Sequence, residues 1–220
     1  MTWHQHERET LAALLHAAGP DAPTLCEGWR TRHLAVHLAQ RELAPWTLLQ
    51  SVPGPIGRRT AATFEDAVAA CADPATYHDT VDRWAAAPAA WSPRALAGDA
   101  INLMEFFVHG EDVRRASDDT PPPPPVPRAL DPLEEDALWQ AVRRAVTLLL
   151  HRCPVGLVYV LDDGRRALVH RPREGRGTVV ATGGVGELAL HAHGRGARAL
   201  VEVVGSEDDR ATLARFAPAG

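Results

Sequence analysis

Glu105 and His109 stand four residues apart in the stretch Asn102-Leu-Met-Glu-Phe-Phe-Val-His-Gly-Glu-Asp-Val-Arg-Arg-Ala116. On a helix that spacing puts a carboxylate and an imidazole on one face, with Asn102 and Asp112 beside them and Ile101 and Val108 on the same side. An ionised carboxylate inside an apolar stripe needs compensation, and a divalent metal held by the Glu oxygen and the His nitrogen would supply it. Glu and His at this spacing also suit a hydrogen-bonded core pair. A second polar intrusion lies in the helix that opens near Thr31, where His37 sits between Leu34 and Leu38 and His33 precedes it by one turn. Either histidine could complete a site. Three protein ligands from two facing helices would leave a coordination position open, which is the arrangement of a catalytic metal centre.

Around these residues the pattern predicts helices at about Trp3 to Ala18, Thr31 to Leu49, a broken stretch from Phe64 to Ala87, and Asp99 to Ser117. Four helices with short connections suggest an up-and-down bundle over residues 1–119. Pro121 to Pro125, followed by Pro127, cannot continue a helix, so residues 120–130 read as an extended linker. From 131 to 220 a small α+β domain is expected. It would open with a helix from Asp131 to Arg152, on the period of Leu133, Ala137, Leu138, Val142, Ala145, Val146 and Leu149. Strands follow at Val155 to Leu161 and Arg166 to Arg171, joined by the turn residues Asp162, Asp163 and Gly164. A third strand is predicted at Thr178 to Thr182, a helix at Glu187 to His193 and a strand at Ala199 to Val204. Ser206 and Asp209 form a capping-box pattern for a last helix through Phe216.

Composition narrows the partners. The chain has 220 residues and a formal charge of -5, without the clustered positive charge that nucleic acid or anionic lipid would need. It has no long apolar run and no signal-peptide pattern at its start, so a cytoplasmic protein with a small-molecule partner is expected. Cys26, Cys71 and Cys153 are an odd number at long spacings, which fits neither a disulfide framework nor a thiolate zinc site.

The stretch Leu25-Cys-Glu-Gly-Trp-Arg-Thr-Arg-His-Leu-Ala-Val-His-Leu38, taken with Asn102 to Ala116, resembles the metal-binding N-terminal domain of the mycothiol-dependent maleylpyruvate isomerase family, a branch of the DinB-like four-helix bundles. Gly183-Gly-Val-Gly-Glu-Leu-Ala-Leu-His-Ala-His-Gly-Arg195 resembles the Glu-Leu…Gly-Arg segment of that family's sterol-carrier-like C-terminal domain. The resemblance implies His37, Glu105 and His109 as metal ligands, zinc or another divalent ion as the metal, and mycothiol as an external thiol cosubstrate. It also implies that Arg195 faces the metal cleft, where its fork would suit a substrate carboxylate or the polar thiol. Where the family has Ser or Thr after the tryptophan and Asp three residues on, this sequence has Arg30 and His33, leaving Thr31 as the obvious substitute cap.

The implied chemistry is attack of a metal-stabilised thiolate on a small electrophile, giving isomerisation or an S-conjugate. Asp112 would orient the His109 imidazole, or else pair with Arg115 on the helix surface. Asn102 would hold substrate or water near Glu105, or serve as a local cap. Two rival readings are a zinc hydrolase using metal-bound hydroxide, and a non-catalytic binding module in which the metal is structural. The pairs His4 with His6 and His191 with His193 read as solvent-facing, Cys26 as a small buried residue, and Glu134, Glu135 and Asp136 as first-turn acids. Trp29, Trp46, Trp84 and Trp91 read as core anchors.

Overall fold

The computed structural model describes residues 2–43, 54–86 and 99–216. The chain divides into two compact units, Met1–Pro122 and Pro123–Gly220. Among the described residues the regular elements of the first unit are α1 (Trp3–Ala18), α2 (Thr31–Leu43), α3 (Pro55–Ala70), α4 (Pro74–Ala86) and α5 (Asp99–Arg115). The second follows as α6 (Pro132–Leu149), β1 (Gly156–Val160), β2 (Arg166–His170), β3 (Thr178–Thr182), α7 (Val185–Ala192), a 3-10 turn Gly196–Arg198, β4 (Glu202–Val204) and α8 (Glu207–Phe216). No described helix is long and apolar enough to cross a membrane.

The stretch expected to be one broken helix from Phe64 is two helices, and the first begins nine residues earlier, at Pro55. Proline supplies the reason at both starts, since its fixed φ and missing N–H suit the first helical position. Between them Asp73 accepts from the Thr76 N–H at 2.9 Å and the Thr76 hydroxyl at 2.8 Å, a side-chain cap that lets α4 begin directly after the break. The expected four helices are therefore five among the described residues. The end of the helix read to Leu49, together with Trp46 and Trp91, lies outside the described residues.

α1 packs on α5 and α4, and α2 packs on α4 and α3. Leu11, Leu15, Leu34, Leu38, Tyr77, Val81, Trp84 and Phe106 fill the core among them, each fully buried. Tyr77 donates its hydroxyl to the Leu15 carbonyl at 2.8 Å, near the α1 C-terminus. Burial raises the Tyr77 pKa, so the donor keeps its proton. On α5 Val108 is buried while Ile101 is 44% exposed, so periodicity over-extended the buried stripe at its N-terminal end.

The second unit carries a four-stranded sheet in the order β2-β1-β3-β4. β1 pairs antiparallel with β2 and parallel with β3, and β3 pairs antiparallel with β4. Gly164, at φ 87°, makes the β1–β2 hairpin, where its N–H donates to the Leu161 carbonyl at 2.9 Å. Gly156 has no room for a side chain: a Cβ there would lie 2.5 Å from Thr178 Oγ1 and 2.8 Å from Pro172 Cδ, where the β2–β3 connection passes.

α6 covers α7 and β2, and α8 packs on β3. Asp131 caps α6 through the Leu133 N–H at 2.8 Å, although Leu133 itself is 68% exposed. The Ser206 hydroxyl accepts the Asp209 N–H at 3.1 Å, as its capping pattern predicts. Residues 199–201, expected in the last strand, are instead outside it, because the 3-10 turn at Gly196–Arg198 delays pairing until Glu202. His191 also departs from expectation. It is half-buried and hydrogen-bonded to the buried Tyr159 hydroxyl at 2.9 Å, because α7 lays this face on the sheet.

Candidate metal centre

α2 and α5 bring His37, Glu105 and His109 together. One donor atom from each lies within 4.8 Å of the others. Glu105 Oε1 is 3.3 Å from His37 Nε2 and 3.5 Å from His109 Nε2, and the two rings meet edge-on with centroids 5.5 Å apart. The side chains keep 20%, 24% and 12% exposure in chain order, so the cluster is recessed and not sealed.

His109 is oriented from behind. Its Nδ1 is 2.9 Å from Asp112 Oδ2, and Asp112 is fully buried. An ionised carboxylate only accepts, so Nδ1 carries the proton of this bond and Nε2 is the atom turned to Glu105. Arg115, the alternative partner of Asp112, pairs with Glu111, which also takes Arg114 at 2.9 Å.

Burial works against the charged form of Glu105, but hydrogen bonds from His109 and His37 and the charges of His109 and Arg41 outweigh it. Its carboxyl is held well below the usual range. Burial likewise opposes a charge on His109, and Asp112, Cys26 and Glu105 together outweigh it, raising the ring well above 6.5. Without metal, His109 therefore holds its ring proton to higher pH than an ordinary imidazole. A folded-state pKa above the unfolded one adds stability that is fully present below the ordinary imidazole value and lost as pH rises through the raised value. The metal-free protein should accordingly lose stability from about pH 6.5 upward, and a His109→Gln variant should lose less over the same range. Urea titrations of chelator-treated protein at a series of pH values measure this, and parallel curves for the two proteins would contradict it.

The helix entry before His37 is built unexpectedly. Thr31, the expected cap, is buried and spends its hydroxyl on the Gly19 carbonyl. His33 does the capping instead: its Nδ1 accepts the Arg30 N–H at 3.1 Å, filling the third-position role that an acidic residue has in a capping box. His33 lies outside the group of His37, Glu105 and His109 and stacks on Trp29 at 6.4 Å, while the same indole leans on His37 at 5.3 Å.

Asn102 is 5% exposed, and its amide oxygen accepts from Arg41 at 3.2 Å. Its oxygen is thus engaged by a buried cation, where sequence suggested substrate, water or a cap. Arg41 is the main residue that sequence reasoning missed. Fully buried one turn after His37, it pairs with Glu105 at 3.3 Å and approaches Glu42 at 3.9 Å. Glu42 in turn pairs with Arg8 at 2.7 Å, and the Arg8 guanidinium covers the Trp84 and Phe106 rings at 5.2 and 4.9 Å. An alternating chain of charges thus leads from the first helix to the candidate ligand Glu105. His4, expected in solvent, is 6% exposed. Cys26 is buried as expected, yet its thiol reaches Asp112 Oδ2 at 3.2 Å.

Arg195 belongs to the second unit. It precedes the 3-10 turn, and its N–H donates to the Leu190 carbonyl at 2.9 Å and its guanidinium to the His193 carbonyl at 2.6 Å.

The donor set fits a divalent ion: two imidazole nitrogens and a carboxylate oxygen on two helices, one imidazole already locked with its second nitrogen toward the others. Fewer than four protein ligands converge among the described residues of this cluster, which suits a centre that accepts an exogenous ligand.

No protein-family profile and no curated protein matches the sequence. The fold is similar to two solved structures, the mycothiol-dependent maleylpyruvate isomerase and a histidine-to-alanine mutant of it. The TM-scores are 0.53 and 0.55 at 16% and 15% identity, with 92% of this chain and 90% of the other covered in each case.

Proposed function

We propose that this chain is a divalent-metal-dependent enzyme of the mycothiol-dependent maleylpyruvate isomerase type, with a DinB-like helical bundle over residues 1–119 and an α+β, sterol-carrier-like domain over 131–220. The observation that carries the reading is the convergence of His37, Glu105 and His109 on one recessed spot. The likeness of fold over nearly the whole chain supports it.

On this reading His37, Glu105 and His109 hold zinc or another divalent ion. When bound, the ion supplies a Lewis acid that keeps an external thiol, mycothiol, as thiolate near neutral pH. The chain's own residues prepare that chemistry. Asp112 keeps the His109 proton on Nδ1 and leaves Nε2 for ligation. Arg41, held by Asn102, keeps Glu105 ionised and aimed at the two imidazoles. Trp29 packs beside His37 and restricts its ring. Asn102 thus supports the site through Arg41, while Arg195 is assigned to a substrate carboxylate by the chemistry of its fork. The substrate is a small electrophile, and thiol addition followed by elimination would isomerise it, whereas addition alone would conjugate it.

Mycothiol added to the cobalt-substituted protein tests this reading, through the absorption of a thiolate bound to the ion. Turnover indifferent to any added thiol would favour a hydrolase instead.

A further inference from the structure

The turn that precedes α2 touches both sides of the candidate metal centre, and Cys26 is where it is fastened. Its thiol donates to Asp112 Oδ2 at 3.2 Å, and that same oxygen takes the His109 Nδ1–H at 2.9 Å. The neighbouring Leu25 N–H donates to the Asp112 carbonyl at 3.1 Å, so backbone and side chain grip one residue of α5. From Cys26 the chain makes a tight turn, closed by the Trp29 N–H on the Cys26 carbonyl at 3.0 Å and permitted by Gly28 at φ 76°. Thr24 braces the turn by donating to the Trp29 carbonyl at 2.9 Å. The turn ends in the Trp29 indole, which leans on His37 at 5.3 Å.

One short segment therefore spans from the group that orients His109 to the group that restrains His37. Asp112 is fully buried, and a buried carboxylate oxygen with two donors is held more tightly than one with a single donor. We infer that Cys26 is a positioning residue: its thiol, as hydrogen-bond donor to Asp112, fixes the carboxylate that orients His109 and registers the ligand-bearing helices α2 and α5. This gives the thiol a specific part in metal affinity, and it rests on the metal reading proposed above.

Zinc affinity measured by chelator competition at fixed pH tests it, with thermal stability recorded in parallel. Cys26→Ala should bind zinc about tenfold more weakly than the parent, in line with the loss of a group that orients a ligand. Cys26→Ser keeps an O–H donor and should stay within about threefold of the parent. Cys71→Ala is the structural control: Cys71 is also buried in the first unit, with its sulfur 3.5 Å from Thr80 Oγ1, and its removal should lower stability while leaving affinity unchanged. Cys26→Ala binding zinc as well as the parent would overturn the inference. So would Cys26→Ser falling as far as Cys26→Ala, or Cys71→Ala weakening zinc equally. If the parent itself binds no zinc, the metal reading falls and this inference with it, an outcome distinct from the other three.

Discussion

His37→Ala, Glu105→Ala and His109→Ala should each lose stoichiometric metal while the chain still folds. Each removes one of three donor atoms that lie within 4.8 Å of one another, and two remaining ligands do not hold a divalent ion against a chelator. The fold should survive because the rings and the carboxylate keep partial exposure, and because the core of the first unit rests on Leu11, Leu15, Leu34, Leu38, Tyr77 and Trp84. Metal content after dialysis, read beside far-ultraviolet circular dichroism, checks both halves of the expectation. Metal retained by all three variants would remove the assignment.

Arg41→Met should be the most destabilising single change near the site. The guanidinium is fully buried, bonded to Asn102 and paired with Glu105, with Glu42 within 3.9 Å. Methionine replaces most of the volume and none of the charge, so Glu105 loses one of the groups that keep it ionised. Removing one partner of a buried ion pair costs about 3–5 kcal/mol. Glu42 keeps Arg8 and Glu105 keeps its two imidazoles, which places the expectation toward the lower end of that range. Urea denaturation of the metal-free protein measures it, and a loss below about 1 kcal/mol would mean that Arg41 is not holding Glu105.

Half of the cluster was legible locally, in Glu105 and His109, whereas the choice of His37 over His33 came from the family resemblance. Glu105 and His109 at i, i+4 share a helix face wherever that helix packs, and His37 sits between leucines that mark a buried stripe. Arg41 stands one turn after His37 on that stripe, so its position was open to the same argument. It was hidden by type, because arginine usually lies at the surface and this chain, which has no lysine, carries many of them.

Cys26 and Asp112 are 86 residues apart, and only the packed helices bring a thiol against that carboxylate. The cap on α2 was obscured by chemistry instead of distance. His33 occupies the slot where a carboxylate is expected, and an imidazole nitrogen serves as acceptor just as well. In the second unit the hairpin, the third strand and the last helix follow from Gly164, the β-branched run at Thr178 and the Ser206 cap. The late start of β4 at Glu202 follows from the 3-10 turn after Arg195, which carries no periodic signal in sequence.

On the proposed reading His37, Glu105 and His109 hold an ion with a position left for a thiol from outside the chain. Titration of mycothiol into the stoichiometrically cobalt-loaded protein, followed by visible and near-ultraviolet absorption, tests it most directly. A new thiolate-to-cobalt charge-transfer band should appear, saturate at one thiol per site and be absent from the His109→Ala variant. Stoichiometric cobalt with no new band at saturating mycothiol would contradict it.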